Sequence, residues 1–177
     1  MIQSTLLLQA QYNKVANKAM FEKFRDLETQ GKKEILYRDC GLYYKSIIKT
    51  AEHNICVSIG LFLDKLSEYA QTKPSKLDKL ISNLEPNFSI RESIVNDLWQ
   101  FSTLQEEVDS AIIEIINNMD DFDKVEKLVL GENLSFNKTR THFILALLNH
   151  STHHRGQIAG ALDIAGIEND FNGMLGI

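Results

Sequence analysis

Prolines and glycines punctuate helices, and this chain of 177 residues has only two of the first and nine of the second. Pro removes a backbone N–H and clashes inside a helix, and Gly weakens one through its backbone entropy. Long intervals free of both therefore suit long helices. Apolar residues recurring every three or four positions mark where those helices run. A first helix is predicted from about Ile2 to about Gln30, with Gly31 as the stop; Leu8, Tyr12, Val15, Ala19 and Met20 form its stripe. A second is predicted from about Leu42 to about Tyr69, with Ile47, Ile48, Ala51, Ile55, Ile59, Phe62 and Leu66 aligned. Its middle, ICVSIGLFL, is apolar nearly all round, which implies burial on more than one side.

Residues 71–88 contain both Pro74 and Pro86 and read as a loop. Ser89 followed three positions later by Glu92 is a capping-box pattern, with Ser89 as N-cap of a third helix. That helix carries Ile94, Leu98, Phe101, Leu104, Val108, Ile112, Ile115 and Met119, and Asn117, Asn118, Asp120 and Asp121 mark its stop. Residues 120–137 include KVEKLVLGEN, which fits either an extended segment or a turn of helix. A fourth helix is predicted from about Asn137 to about Gly166. Four long helices, no internal repeat and no βαβ alternation point to an all-α four-helix bundle. A single domain over residues 1–177 is expected, with a short irregular segment before the last helix. The long connections leave the helix topology open.

The net charge of −5 disfavours nucleic acid and anionic membranes as partners, because both reward clustered Lys and Arg. Leu6, Leu7 and Leu8 are followed at once by polar Gln9 and Gln11, so no signal-peptide core forms. No apolar run is long enough to span a bilayer. Two cysteines, Cys40 and Cys56, are too few for a disulfide framework. A cytoplasmic location is expected. Cys56, mid-helix in an apolar run, reads as a small core residue, and Trp99 as core or interface.

The densest chemistry lies in NHSTHHRGQIAG, residues 149–160, which holds three of the five histidines. In a helix, His150 and His154 stand four apart on one face and can converge on one ion. His153 points about 100° away. Gln157 continues the line of His154, and Gly156 and Gly160 leave room for a neighbouring backbone on another face. Spacing alone leaves an ordinary histidine pair and a metal site both open. A catalytic metal usually takes three protein ligands and keeps a free position. His142 is poorly placed to share the ion. His53 can arrive from a facing helix, although it lies off the main apolar stripe. The position of the zincin general base in H-E-x-x-H is Ser151 here, so that hydrolytic machinery is missing.

The motif from His150 to Gln157, HSTHHRGQ, resembles the signature of the DinB/YfiT-like superfamily. QYNKVANKAMFEKF resembles that family's opening helix, and TAEHNICVSIGLFLDKL its second helix, where one histidine precedes an apolar run. The resemblance spans nearly the whole chain and implies a four-helix-bundle protein, often dimeric. It implies a divalent metal, zinc or nickel, held by His53, His150 and His154. It gives His153 and Arg155 hydrogen-bonding or ion-pairing roles, and suggests that Tyr12 and Asn17 line the site. Characterised relatives include thiol-dependent S-transferases and an isomerase that use low-molecular-weight thiols. The expected function is therefore a metal-dependent S-transferase acting on a small electrophile, with a low-molecular-weight thiol and a second copy of the chain as partners. The alternatives are a metal-dependent hydrolase, with Glu52 as the only acid beside a proposed ligand, or a non-catalytic dimeric stress-response module with a structural metal.

Overall fold

Helix α1 (Ile2–Thr29) stops as the sequence indicates: Gly31 takes a φ of 70°, the left-handed conformation that glycine adopts freely. Its buried face differs from the predicted stripe. Leu6, Ala10, Asn13, Ala16, Asn17, Met20, Phe21, Phe24 and Leu27 are buried, whereas Leu8 and Val15 are exposed. The stripe is displaced because Asn13 and Asn17 belong to the interior. Asn13 donates to the Leu148 carbonyl at 3.2 Å and Asn17 to both carboxylate oxygens of Asp109 at 3.1 Å. These coordinates are a computed structural model that describes residues 1–131, 134–171 and 173–177.

After a single turn, α2 (Glu34–Tyr37), the second long helix begins as α3 (Ile47–Val57). Ser46 caps it, accepting a hydrogen bond from the Lys49 N–H at 3.2 Å. The helix continues through a π-helical segment, Ser58–Leu63, into α4 (Asp64–Ser67). The all-round apolar character of this helix is matched inside the chain, by α2, by the later long helices and by the segment predicted to be a loop. That segment contains a short helix, α5 (Leu77–Ile81). Gly60 sits where Leu84 and Phe88 close over the π segment; a Cβ there would come within 2.6 Å of the Phe88 ring.

The third long helix starts later than the capping-box pattern predicts. Glu92–Val95 is an isolated turn, α6, and α7 runs from Leu98 to Asn117. Its N-cap is Asp97, whose carboxylate accepts from the N–H groups of Trp99 and Gln100 at 3.0 and 3.1 Å. Ser89 instead donates its hydroxyl proton to Asn87 at 2.7 Å. The pattern fails because Asp97, in an extended conformation, offers an ionised acceptor to two orphan amides at once.

The irregular segment is a β-hairpin. Val125–Gly131 (β1) pairs antiparallel with Leu134–Thr139 (β2), with Leu128 opposite Phe136 and a register shift between Val129 and Gly131. Glu132 and Asn133, part of the stretch read from sequence, lie outside the described residues. The final long helix, α8 (Arg140–Ile164), is capped by Thr139, which accepts from the His142 N–H at 3.2 Å. The chain is mostly helical with one two-stranded sheet. Among the described residues no helix is long and apolar enough to cross a membrane.

The long helices pack α1 on α7, α1 on α8 and α3 on α8. The bonds from Gln3 to Ile116 and from Arg25 to Ser102 show that α1 and α7 run antiparallel. Replacing Asp97 with Ala is expected to lower Tm by about 2–6 °C, the size of a lost helix cap in a domain of this length. Ser89→Ala should leave Tm within about a degree, because its hydroxyl caps no helix. Thermal melts followed by circular dichroism decide between the two caps.

Candidate metal centre

Two hydrogen-bonded pins set the geometry of α8. On one side, Asn54 of α3 donates to the Ser151 hydroxyl at 3.2 Å in a buried contact. Asn54 follows His53 in the chain and Ser151 follows His150, so this bond carries the two histidines into the same seam. On the other side, Arg155, which is buried, donates to the Asn17 side-chain oxygen at 2.9 Å and lies over the Tyr12 ring, 5.1 Å from its centre. Asn17 passes the connection on to Asp109 of α7. Gln105 also donates to Asp109, at 3.1 Å.

Between these pins the three singled-out histidines meet. One ring nitrogen from each of His53, His150 and His154 lies within 4.8 Å of the others. The Nε2 atoms of His150 and His154 are 3.1 Å apart, as the four-residue spacing on α8 allows. The His53 ring centre is 4.9 Å from that of His154 and 5.3 Å from that of His150. His142 and His153 are exposed, and neither belongs to the cluster.

The protonation pattern follows from the partners. A side-chain amide oxygen only accepts, so the Gln157 oxygen 2.7 Å from His154 Nδ1 places the ring proton there. The Nε2 lone pair of His154 then faces the cluster. Burial holds all three imidazoles below their ordinary value: His53 and His150 fall to about 4, each helped by the charge of His154. His154 is lowered less freely, because the bond to Gln157 opposes its burial. At neutral pH the seam thus contains three uncharged rings. Their own hydrogen bonding is incomplete, since His150 Nδ1 is buried without a partner.

These features fit a divalent cation. Zinc–nitrogen bonds put two ligand atoms about 2.9–3.4 Å apart between octahedral and tetrahedral angles, and the His150–His154 separation of 3.1 Å lies in that interval. Three close, neutral imidazoles can hold a metal ion. Gln157 is the outer group that fixes one ring's tautomer. Glu52, the acid beside His53, is turned away: its carboxylate accepts from the Ile90 N–H at 3.1 Å and from Lys49 at 2.7 Å.

One member of the site escaped the sequence reading. Tyr44 places its hydroxyl 2.9 Å from His53 Nε2 and stacks its ring on the imidazole, with centres 4.0 Å apart and planes 19° from parallel. Burial keeps its phenol protonated above the usual range. A tight turn holds it there. Gly41 and Lys45 take φ values of 80° and 72°, and Cys40 N–H donates to the Lys45 carbonyl at 2.8 Å. The signal available in sequence is the Gly-Leu-Tyr-Tyr-Lys-Ser run directly before the Ser46 cap, which is weak because tyrosine seldom reads as part of a histidine cluster.

Asp109 gives the inner pin a measurable pH dependence. Burial pushes its carboxyl up to about 7 from 3.8, against the bonds from Asn17 and Gln105 and the charge of Arg155. The folded state therefore holds this proton more tightly than the unfolded state does. Its contribution to stability is present below about 3.8 and declines as pH rises to about 7. Asp109→Asn cannot titrate. The stability difference between variant and wild type is expected to shift in the variant's favour across that window and to level off above it, in urea denaturation at a series of pH values. A constant difference would remove Asp109 as the titrating group.

Neither the curated proteins nor the solved structures compared with the chain include a match. The family model described as the DinB family matches residues 1–171, so all three clustered histidines and every long helix fall within it, and the chain belongs to the DinB family.

Proposed function

We propose that this protein is a divalent-metal-dependent enzyme of the thiol S-transferase type, built as a cytoplasmic four-helix bundle, with zinc or nickel held by His53, His150 and His154. The observation that carries this reading is the neutrality of the donor set. Among the described residues no carboxylate joins the three imidazoles, and the adjacent Glu52 is engaged elsewhere. A divalent ion held by neutral donors keeps its positive charge and supplies the means to stabilise a thiolate from a bound thiol. No side-chain base is then needed.

The thiol has to come from outside the chain. Cys56 is buried, and burial pushes its thiol up to about 12. Cys40 donates its thiol proton to the Lys45 carbonyl at 3.4 Å. A hydrolase would instead want a base beside the ion, and Glu52 is committed to Lys49 and the Ile90 amide.

The partner expected on α8 is a second copy. Gly156 and Gly160 have open space where a Cβ would stand, and Ile164 is 89% exposed one turn beyond. A homodimer through this face buries that isoleucine, and sedimentation of Ile164→Glu should shift towards monomer relative to wild type.

Metal content tests the triad directly. His53→Ala, His150→Ala and His154→Ala are each expected to lower bound zinc or nickel at least tenfold in elemental analysis, the scale of losing one of three ligands. His142→Ala should leave it unchanged. Thiol conjugation to an electrophilic aromatic substrate should follow metal content across the same set. Full metal with no conjugation above the metal-free control would replace the enzyme with a binding module that holds a structural ion.

A further inference from the structure

We infer that Tyr44 is the hydrogen-bond donor that receives the thiol at the open side of this centre, resting on the metal-site reading above. Among the described residues, His53 Nε2 is the sole hydrogen-bond partner of the Tyr44 hydroxyl. A neutral imidazole has one nitrogen lone pair. Once a cation takes it, through either nitrogen, His53 Nε2 no longer accepts from the phenol, and the half-buried O–H turns to the nearest new acceptor.

The stacking decides what the phenol does next. Tyr44 stacks nearly parallel to the His53 ring, with its hydroxyl 2.9 Å from Nε2. Its ring also meets the His154 ring in an edge arrangement with centres 5.8 Å apart, so the phenol ring borders two of the three imidazoles, beside a molecule bound at the ion. The turn from Cys40 to Ser46, held by Cys40–Lys45 and Lys45–Leu42 backbone bonds, fixes it there without ordering a loop on binding. Tyr43, next to it in the chain, is 84% exposed, which makes it the natural control.

The probe is 2-mercaptoethanol added to cobalt(II)-loaded protein, read as the sulfur-to-cobalt absorption that appears on binding. Wild type, Tyr44→Phe and Tyr43→Phe are each expected to bind cobalt at the same stoichiometry. Tyr44→Phe should bind the thiol about tenfold more weakly, the scale of one hydrogen bond to a charged acceptor in a part-exposed site. Tyr43→Phe should match wild type. Equal thiol affinity in Tyr44→Phe overturns the inference, and so does loss of cobalt, which would make the phenol a ligand of the ion. Cobalt-loaded wild type that takes up no thiol also overturns it. Failure of the metal reading beneath it looks different: wild type and His53→Ala would then bind cobalt alike.

Discussion

A guanidinium in the interior has to be matched where it lies, because removing one partner of a buried charge costs about 3–5 kcal/mol. Arg155 is 3% exposed and meets that demand through Asn17, which stands between it and the carboxylate of Asp109. The arrangement draws on three helices at once, and an asparagine side chain is too short to forgive a slip in any of them. With α1, α7 and α8 locked to one another, the residue before Arg155, His154, has its height and rotation set. The Asn54–Ser151 bond does the same for α3. The position of every imidazole in the cluster descends from these few polar contacts inside an apolar core.

The same region holds incompletely satisfied groups. Of three buried side-chain atoms without partners among the described residues, His150 Nδ1 and Asn54 Oδ1 belong to the seam where the histidines meet, and Gln105 Oε1 lies beside Asp109. Buried polar atoms nearly always find a hydrogen bond, so two exceptions in one seam point to a site arranged for something other than stability. Burial that keeps three rings uncharged would be a poor choice for a structural histidine cluster, which gains by pairing with acids. It suits donors that must offer lone pairs.

The sequence is most legible where one helix carries the information. The spacing of His150 and His154 and the position of Gln157 are readable on α8, because an α-helix converts sequence intervals into faces directly. The stripe on α1 misleads because the interior there is partly polar: Asn13 and Asn17 point inwards to make bonds that a hydrophobic pattern does not register. The start of α7 is obscured because Ser-x-x-Glu at Ser89 satisfies a local rule while Asp97, eight residues later, binds two amides. KVEKLVL keeps no clean period of two or of 3.6, so it fits a strand or a turn of helix alike, and pairing with Leu134–Thr139 decides it. Tyr44 reaches His53 only through a turn built on two left-handed residues, one of them a lysine, which no periodicity announces.

The π-helical segment Ser58–Leu63 has a consequence for how this chain can change in length. A π turn accommodates one residue more than the α-helical turn it replaces and rotates the downstream residues by about 100° relative to an uninterrupted helix. The stretch before it presents His53 to α8, and the stretch after it buries Leu66 in the core. The segment therefore holds a residue that a regular helix does not need. Deleting one position here would close the turn to an α turn and leave His53 and Leu66 on their present faces, whereas a deletion within Ile47–Val57 would turn the residues on one side of it by about 100°.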